Sequence, residues 1–79
     1  MRKMYIVSSD KSDELEQELT TEQFNSIWWT DSRHYKKERA IQEAQRLTNK
    51  FNKRFGTNYG WEHLFCIDEE YFDSDGFRV

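Results

Sequence analysis

Apolar positions divide the 79-residue chain into segments of different period. Residues 3–8 (Lys3-Met4-Tyr5-Ile6-Val7-Ser8) set four apolar side chains in succession, β-branched and aromatic among them, and predict a strand. Four in a row without polar alternation place that strand centrally in its sheet or cover it on both faces. Ser8 to Thr21 is a polar, acidic connection with room for a turn of helix around Leu15 and Leu19. Thr20 and Gln23 have the spacing of a capping box, in which each side chain accepts a hydrogen bond from the other residue's backbone N–H, so a short helix opens there through Phe24 and Ile27. The tetrad Ile27-Trp28-Trp29-Thr30 has strong β propensity. It reads either as a second strand or as the end of that helix followed by an extended Trp28–Thr30.

A long helix is predicted from about Ser32 to Phe55. Asp31 or Ser32 can cap it by accepting bonds from the unpaired amides of its first turn. Ala40, Ile41, Ala44, Leu47, Phe51 and Phe55 recur at spacings of three and four and form one apolar stripe. Lys50, Lys53 and Arg54 lie in the last turns, where the helix dipole favours cations, and Gly56 supplies a left-handed stop. After a turn at Thr57-Asn58-Tyr59-Gly60, residues 61–67 alternate as a strand, with Trp61, His63, Phe65 and Ile67 on one face and Glu62, Leu64 and Cys66 on the other. Asp73-Ser74-Asp75-Gly76 is turn chemistry, and Phe77-Arg78-Val79 can return as a short edge strand. The pattern predicts a single α+β domain over 1–79, with one long helix packed on a small mixed or antiparallel sheet in the order β-(short α or β)-α-β-β. A right-handed crossover would make the first and later strands parallel if they are neighbours.

Composition changes this picture in one respect. Only 35% of residues are hydrophobic, yet 16% are aromatic, so a few large rings must fill a core near the lower size limit for an unaided fold. The single cysteine, Cys66, excludes an intrachain disulfide, and no apolar run approaches the roughly 20 residues that span a bilayer. A cytoplasmic protein that does not enter the membrane is the expectation.

Charge is segregated. Asp10–Glu22 carries six acids and one Lys, Arg33–Arg54 eight bases and two acids, and Glu62–Val79 six acids and one Arg, within a net charge of −3. Two contact surfaces follow. The acids Asp13, Glu14, Glu16, Glu18, Asp68, Glu69, Glu70, Asp73 and Asp75 can dock on a basic protein surface, where complementary potential speeds association. The bases Arg33, Lys36, Lys37, Arg46, Lys50, Lys53 and Arg54 can instead contact nucleic-acid phosphates. Arg33 with Lys37, and Lys50 with Arg54, are then i,i+4 pairs of a polar stripe, and Trp28, Trp29, Tyr35 and Tyr59 lie near enough in sequence to stack on bases. The acidic segments oppose nucleic-acid binding unless they point away from that face. The plainer alternative is that acidic loops simply neutralise a basic helix and both are solvated surface. Trp28 and Trp29 point in different directions, so one ring is expected in the core and the other outward, where an exposed Trp serves as an anchor.

Catalytic and metal chemistry finds little support. Asp73-x-Asp75-Gly76 resembles part of a calcium loop, but the bidentate Glu of the twelfth position would fall beyond Val79, so a hairpin turn is expected. His63 and Cys66 have a zinc-like spacing, but only His34 remains to join them and the strand alternation puts Cys66 opposite His63. Cys66 paired with a His lacks an oxyanion site, and Asp68-Glu69-Glu70 reads as a solvated run. No phosphate loop, dinucleotide fingerprint or nucleophile elbow occurs. A non-enzymatic protein without metal or cofactor is expected.

The opening strand Met4–Val7, the helix Ser32–Phe55 and the acids of Asp10–Glu22 and Asp68–Asp75 together resemble the pattern of small phage-encoded anti-defence proteins of the anti-CRISPR type. The resemblance implies a non-enzymatic inhibitor that binds a larger, nucleic-acid-handling host complex. It carries over no individual residue. The remaining expectations are a nucleic-acid-binding module using the basic face of helix 32–55, and an assembly protein acting as a homo-oligomer.

Overall fold

A computed structural model describes residues 2–9 and 13–72, Asp13 in its backbone only. Seven elements follow in order: β1 (Arg2–Ser9), α1 (Asp13–Glu18), α2 (Thr21–Ile27), β2 (Asp31–His34), α3 (Lys37–Phe55), α4 (Trp61–Leu64) and β3 (Phe65–Phe72). The three strands form an antiparallel sheet in the order β2-β1-β3, and the expected α+β class, one long helix on a small sheet, is what the chain adopts. β1 lies in the centre, as its unbroken apolar run predicts.

Register fixes the two faces of the sheet, because residues directly opposite in an antiparallel pair share a face. Val7 pairs with Ser32 and Ile67, Tyr5 with His34 and Glu69, and Ser9 with Phe65. This face meets the helices. Its core is Val7, Leu15, Leu19, Ile27, Ala40, Ala44, Phe51, Leu64 and Phe65. Ala40 and Ala44 have no side chain beyond Cβ, which brings the α3 backbone close to the sheet. The other face carries Met4, Ile6 and Ser8 of β1, Asp31 and Arg33 of β2, and Cys66, Asp68, Glu70 and Phe72 of β3.

The local signals hold where the partner is close in sequence. Thr20 Oγ1 accepts from Gln23 N at 3.1 Å and Gln23 Oε1 from Thr20 N at 3.0 Å, which completes the capping box. Gly56 ends α3 with φ +66°, the left-handed conformation that glycine adopts without strain. Asn52 then binds the following turn through Thr57 Oγ1 and both backbone polar groups of Tyr59.

Four expectations are corrected. Asp31 and Ser32 do not cap the long helix: residues 31–34 pair with β1, and α3 begins at Lys37 behind Lys36, which makes no side-chain cap. Trp28–Thr30 is neither strand nor extended; Trp28 is right-handed helical, and a turn closes with Thr30 N to Ile27 O at 3.0 Å. Trp61–Leu64 is a helical turn, and the strand starts only at Phe65 and runs through the acids to Phe72. β1 and β3 are neighbours yet antiparallel. The crossover through α3 starts from β2, so the strands it makes parallel are β2 and β3, on opposite edges of β1. The expected turn Asp73–Gly76 and edge strand 77–79 lie outside the described residues. No described helix is long and apolar enough to cross a membrane.

Candidate binding surface

At 100° per residue, the buried positions Ala40, Ala44, Thr48 and Phe51 define the core side of α3. Arg39, Arg46, Lys50 and Lys53, separated by seven, four and three positions, fall on the opposite side, and all four are exposed. The stripe runs about 21 Å at 1.5 Å per residue. Arg46 makes a two-pronged ion pair with Glu43, and the guanidinium holds that carboxyl below its ordinary value, chiefly through the hydrogen bonds. Arg39, Lys50 and Lys53 form no ion pair with a described residue, nor do Lys36 and Lys37 at the start of the helix. Cations in a helix's first turn oppose its dipole. Lys36, Lys37 and Arg39 therefore cost stability where they stand.

Both tryptophans of the Trp28-Trp29 pair are exposed, at 48% and 68%, so neither supplies the core ring expected of one of them. The turn that carries them is fixed from below. Ser9, buried at the end of β1, donates its hydroxyl to Trp28 O at 3.0 Å, and Trp28 N bonds Phe24 O at 3.0 Å. Between this turn and the C-terminal half of α3 lies a cleft of about 200 Å³. Ile27, Phe51, Phe55 and Phe65 give it an apolar floor, Trp29 stands on the turn side, and Lys50 and Arg54 stand on the helix side. The Arg54 guanidinium lies 4.9 Å from the Phe55 ring centre and donates to Glu22 at 3.1 Å, which holds it at the rim. Through Lys50 the cleft is continuous with the basic stripe.

The other predicted site residues are dispersed. Arg33 belongs to β2 and reaches over the Phe72 ring on the far face of the sheet, so it forms no helical pair with Lys37, the first residue of α3. Asp13, Glu14, Glu16 and Glu18 lie on α1, with Glu14 and Glu16 exposed and Glu18 bonded to His63 at 2.7 Å. Along β3 the acids alternate. Asp68 and Glu70 occupy the face away from the helices, while Glu69 lies on the other, 3.1 Å from Lys3. Asp73 and Asp75 lie outside the described residues. Tyr35 is exposed on the link into α3, whereas Tyr59 packs against Phe51 and His63.

Sequence reasoning missed the Ser9 tether, the Glu22–Arg54 pair and the cleft itself. Their partners are 19 to 32 positions apart, and no local spacing marks them. Two further polar contacts were not foreseen. Ser32 Oγ lies 2.5 Å from His34 Nε2 at the edge of the sheet, and Ser8 Oγ lies 3.2 Å from Cys66 Sγ on its far face. Among the described residues no three His, Cys, Asp or Glu side chains converge on a point where a metal ion would sit. Comparison with protein-family models, curated proteins and solved structures gives no match.

Proposed function

We propose that this protein is a non-catalytic binding module that engages nucleic acid through the exposed face of α3. One observation carries this: Arg39, Arg46, Lys50 and Lys53 line the solvent side of the helix, Arg46 alone of the four being ion-paired among the described residues, while Asp68 and Glu70 lie on the face of the sheet away from the helices. A phosphate backbone lying on α3 meets cations that few neighbouring acids neutralise. Asp68 and Glu70 are turned away from it, and the acids beside the helix, Glu43 and Glu22, are held in ion pairs with Arg46 and Arg54. Anisotropy titration of labelled oligonucleotides at low salt tests the proposal. Binding should weaken in Lys50→Glu with Lys53→Glu, and no binding by the unaltered protein would remove it.

A second function is favoured by a separate observation. Trp28 is half exposed but does not line the cleft, and the acids Glu14 and Glu16 project from α1. These groups suit an inhibitor docking on a basic protein surface, as the resemblance to phage anti-defence proteins implies. A protein partner captured after nuclease treatment, and lost in both Trp28→Ala and Glu14→Lys with Glu16→Lys, would favour that function.

A further inference from the structure

We infer that the cleft beside Trp29 takes one unpaired nucleobase, so that the protein prefers single-stranded nucleic acid to duplex. The inference rests on α3 being the nucleic-acid face and names the form of nucleic acid it selects. At about 200 Å³ the cleft is smaller than pockets that enclose a whole small molecule, and it suits a single ring system. Ile27, Phe51, Phe55 and Phe65 make its lining largely apolar, and Ser26, Trp29 and Thr30 line its turn side. Every base has a π face, so such a platform binds bases with little regard to sequence. The platform is also set in advance. Ser9 Oγ to Trp28 O, Trp28 N to Phe24 O and Thr30 N to Ile27 O fix the backbone of the turn, which lowers the entropy lost on binding.

Charge at the mouth matches what flanks a base. Lys50 and Arg54, the latter shared with Glu22 at the rim, sit one helical turn apart on the α3 wall, where the phosphates on either side of an inserted base would lie. From Lys50 the row continues to Lys53 in one direction and to Arg46 and Arg39 in the other. In duplex the bases are stacked and paired, so entering the cleft requires flipping one out, which is unfavourable. Duplex can use the stripe but not the cleft. An aromatic side chain flanked by acids on a protein partner would satisfy part of the same chemistry, and the experiment separates the two.

The probes are a labelled oligothymidine of about 20 nucleotides, longer than the roughly 4–16 nucleotides that single binding folds cover, and its duplex with oligoadenosine. Both are titrated by anisotropy at about 50 mM salt against the unaltered protein, Trp29→Ala, Trp29→Phe and Lys50→Gln with Lys53→Gln. The single strand should bind more tightly than the duplex. Trp29→Ala should weaken single-strand binding about 5- to 150-fold and leave duplex binding unchanged, while Trp29→Phe retains most of the affinity. Lys50→Gln with Lys53→Gln should weaken both. Equal binding of both forms, or an equal effect of Trp29→Ala on both, overturns the cleft assignment and leaves α3 as the nucleic-acid face. Binding of neither form overturns both. A nuclease-resistant protein partner lost in Trp29→Ala, with no oligothymidine binding, assigns the cleft to that partner instead.

Discussion

Neutralising the α3 row should change how binding responds to salt, by an amount the geometry fixes. Consider Arg46→Gln, Lys50→Gln and Lys53→Gln together. All three positions are exposed and on the side of α3 away from the core, and Gln is a good helix former, so the fold should persist. With Arg39, the row offers four cations. Each phosphate neutralised on a single strand contributes about −0.7 to the slope of log affinity against log salt, so the unaltered protein should show a slope of about −3. Its affinity should then fall roughly 50-fold between about 50 and 200 mM salt. The triple variant keeps one cation of the row, so its slope should shrink to about −0.7 and the loss to roughly threefold. Arg46 is shared with Glu43, which makes four the upper count for the row, and Arg54 at the cleft rim adds little to it because Glu22 already neutralises it. Anisotropy of labelled oligothymidine across that salt range measures both slopes, with circular dichroism to verify helix content. A slope that the triple substitution leaves unchanged would refute α3 as the contact face.

Three further predictions concern the scaffold and its charges. Thr48 Oγ1 is buried without a hydrogen-bond partner, so Thr48→Val should stabilise the fold by about 1 kcal/mol, raising the melting temperature by roughly 4–8 °C. Lys37→Glu removes a cation from the positive end of the α3 dipole and should stabilise by about 0.3–1 kcal/mol, which chemical denaturation measures. Glu43 is held below its ordinary value of 4.5 by Arg46, so its stabilisation is present above that value and disappears as pH falls through the lower native one. Glu43→Gln should therefore lose less stability than the unaltered protein between about pH 6 and pH 3, by a small margin because the pair faces solvent.

What was legible in the sequence follows the distance over which each signal acts. The Thr20–Gln23 box spans three residues, the Gly56 stop one, and the apolar stripe of α3 repeats along one helix, so each could be found locally. Residues 31–34 could not. Asp-Ser-Arg-His is polar throughout, reads equally well as a helix cap, and becomes a strand only because Val7 and Tyr5 offer it a ladder. The same holds for Asp68–Phe72, whose run of acids reads as a loop until eight residues of β1 pair with β3. Trp61–Leu64 failed for a different reason. Four residues cannot distinguish alternation from one helical turn, and the mark of the switch is that Leu64 and Phe65 are adjacent and both buried. The basic members of the candidate site were visible as a charge run, but the cleft depends on a turn tethered from β1.

Part of the segregation of charge along the chain becomes a segregation across layers, with Asp68 and Glu70 beyond the sheet while Glu22 and Glu43 stay beside α3 in ion pairs. This bears on how a protein of net charge −3 would hold the anionic ligand proposed for it. Asp68 and Glu70 are separated from the Arg39–Lys53 row by the sheet and by the helix, whose diameter alone is about 10–12 Å with side chains. The Debye length is about 10 Å at 0.1 M salt, so a ligand on α3 is largely screened from those acids while it touches the bases directly. At about 0.01 M the length grows to roughly 30 Å and spans both layers. The acids then repel the ligand that the row attracts. The logarithmic salt dependence should therefore flatten below about 0.02 M instead of continuing to steepen affinity. Replacing Asp68 with Asn and Glu70 with Gln should restore the straight line, with little effect at 0.1 M. A line already straight in the unaltered protein would mean that the two layers do not act on the same ligand.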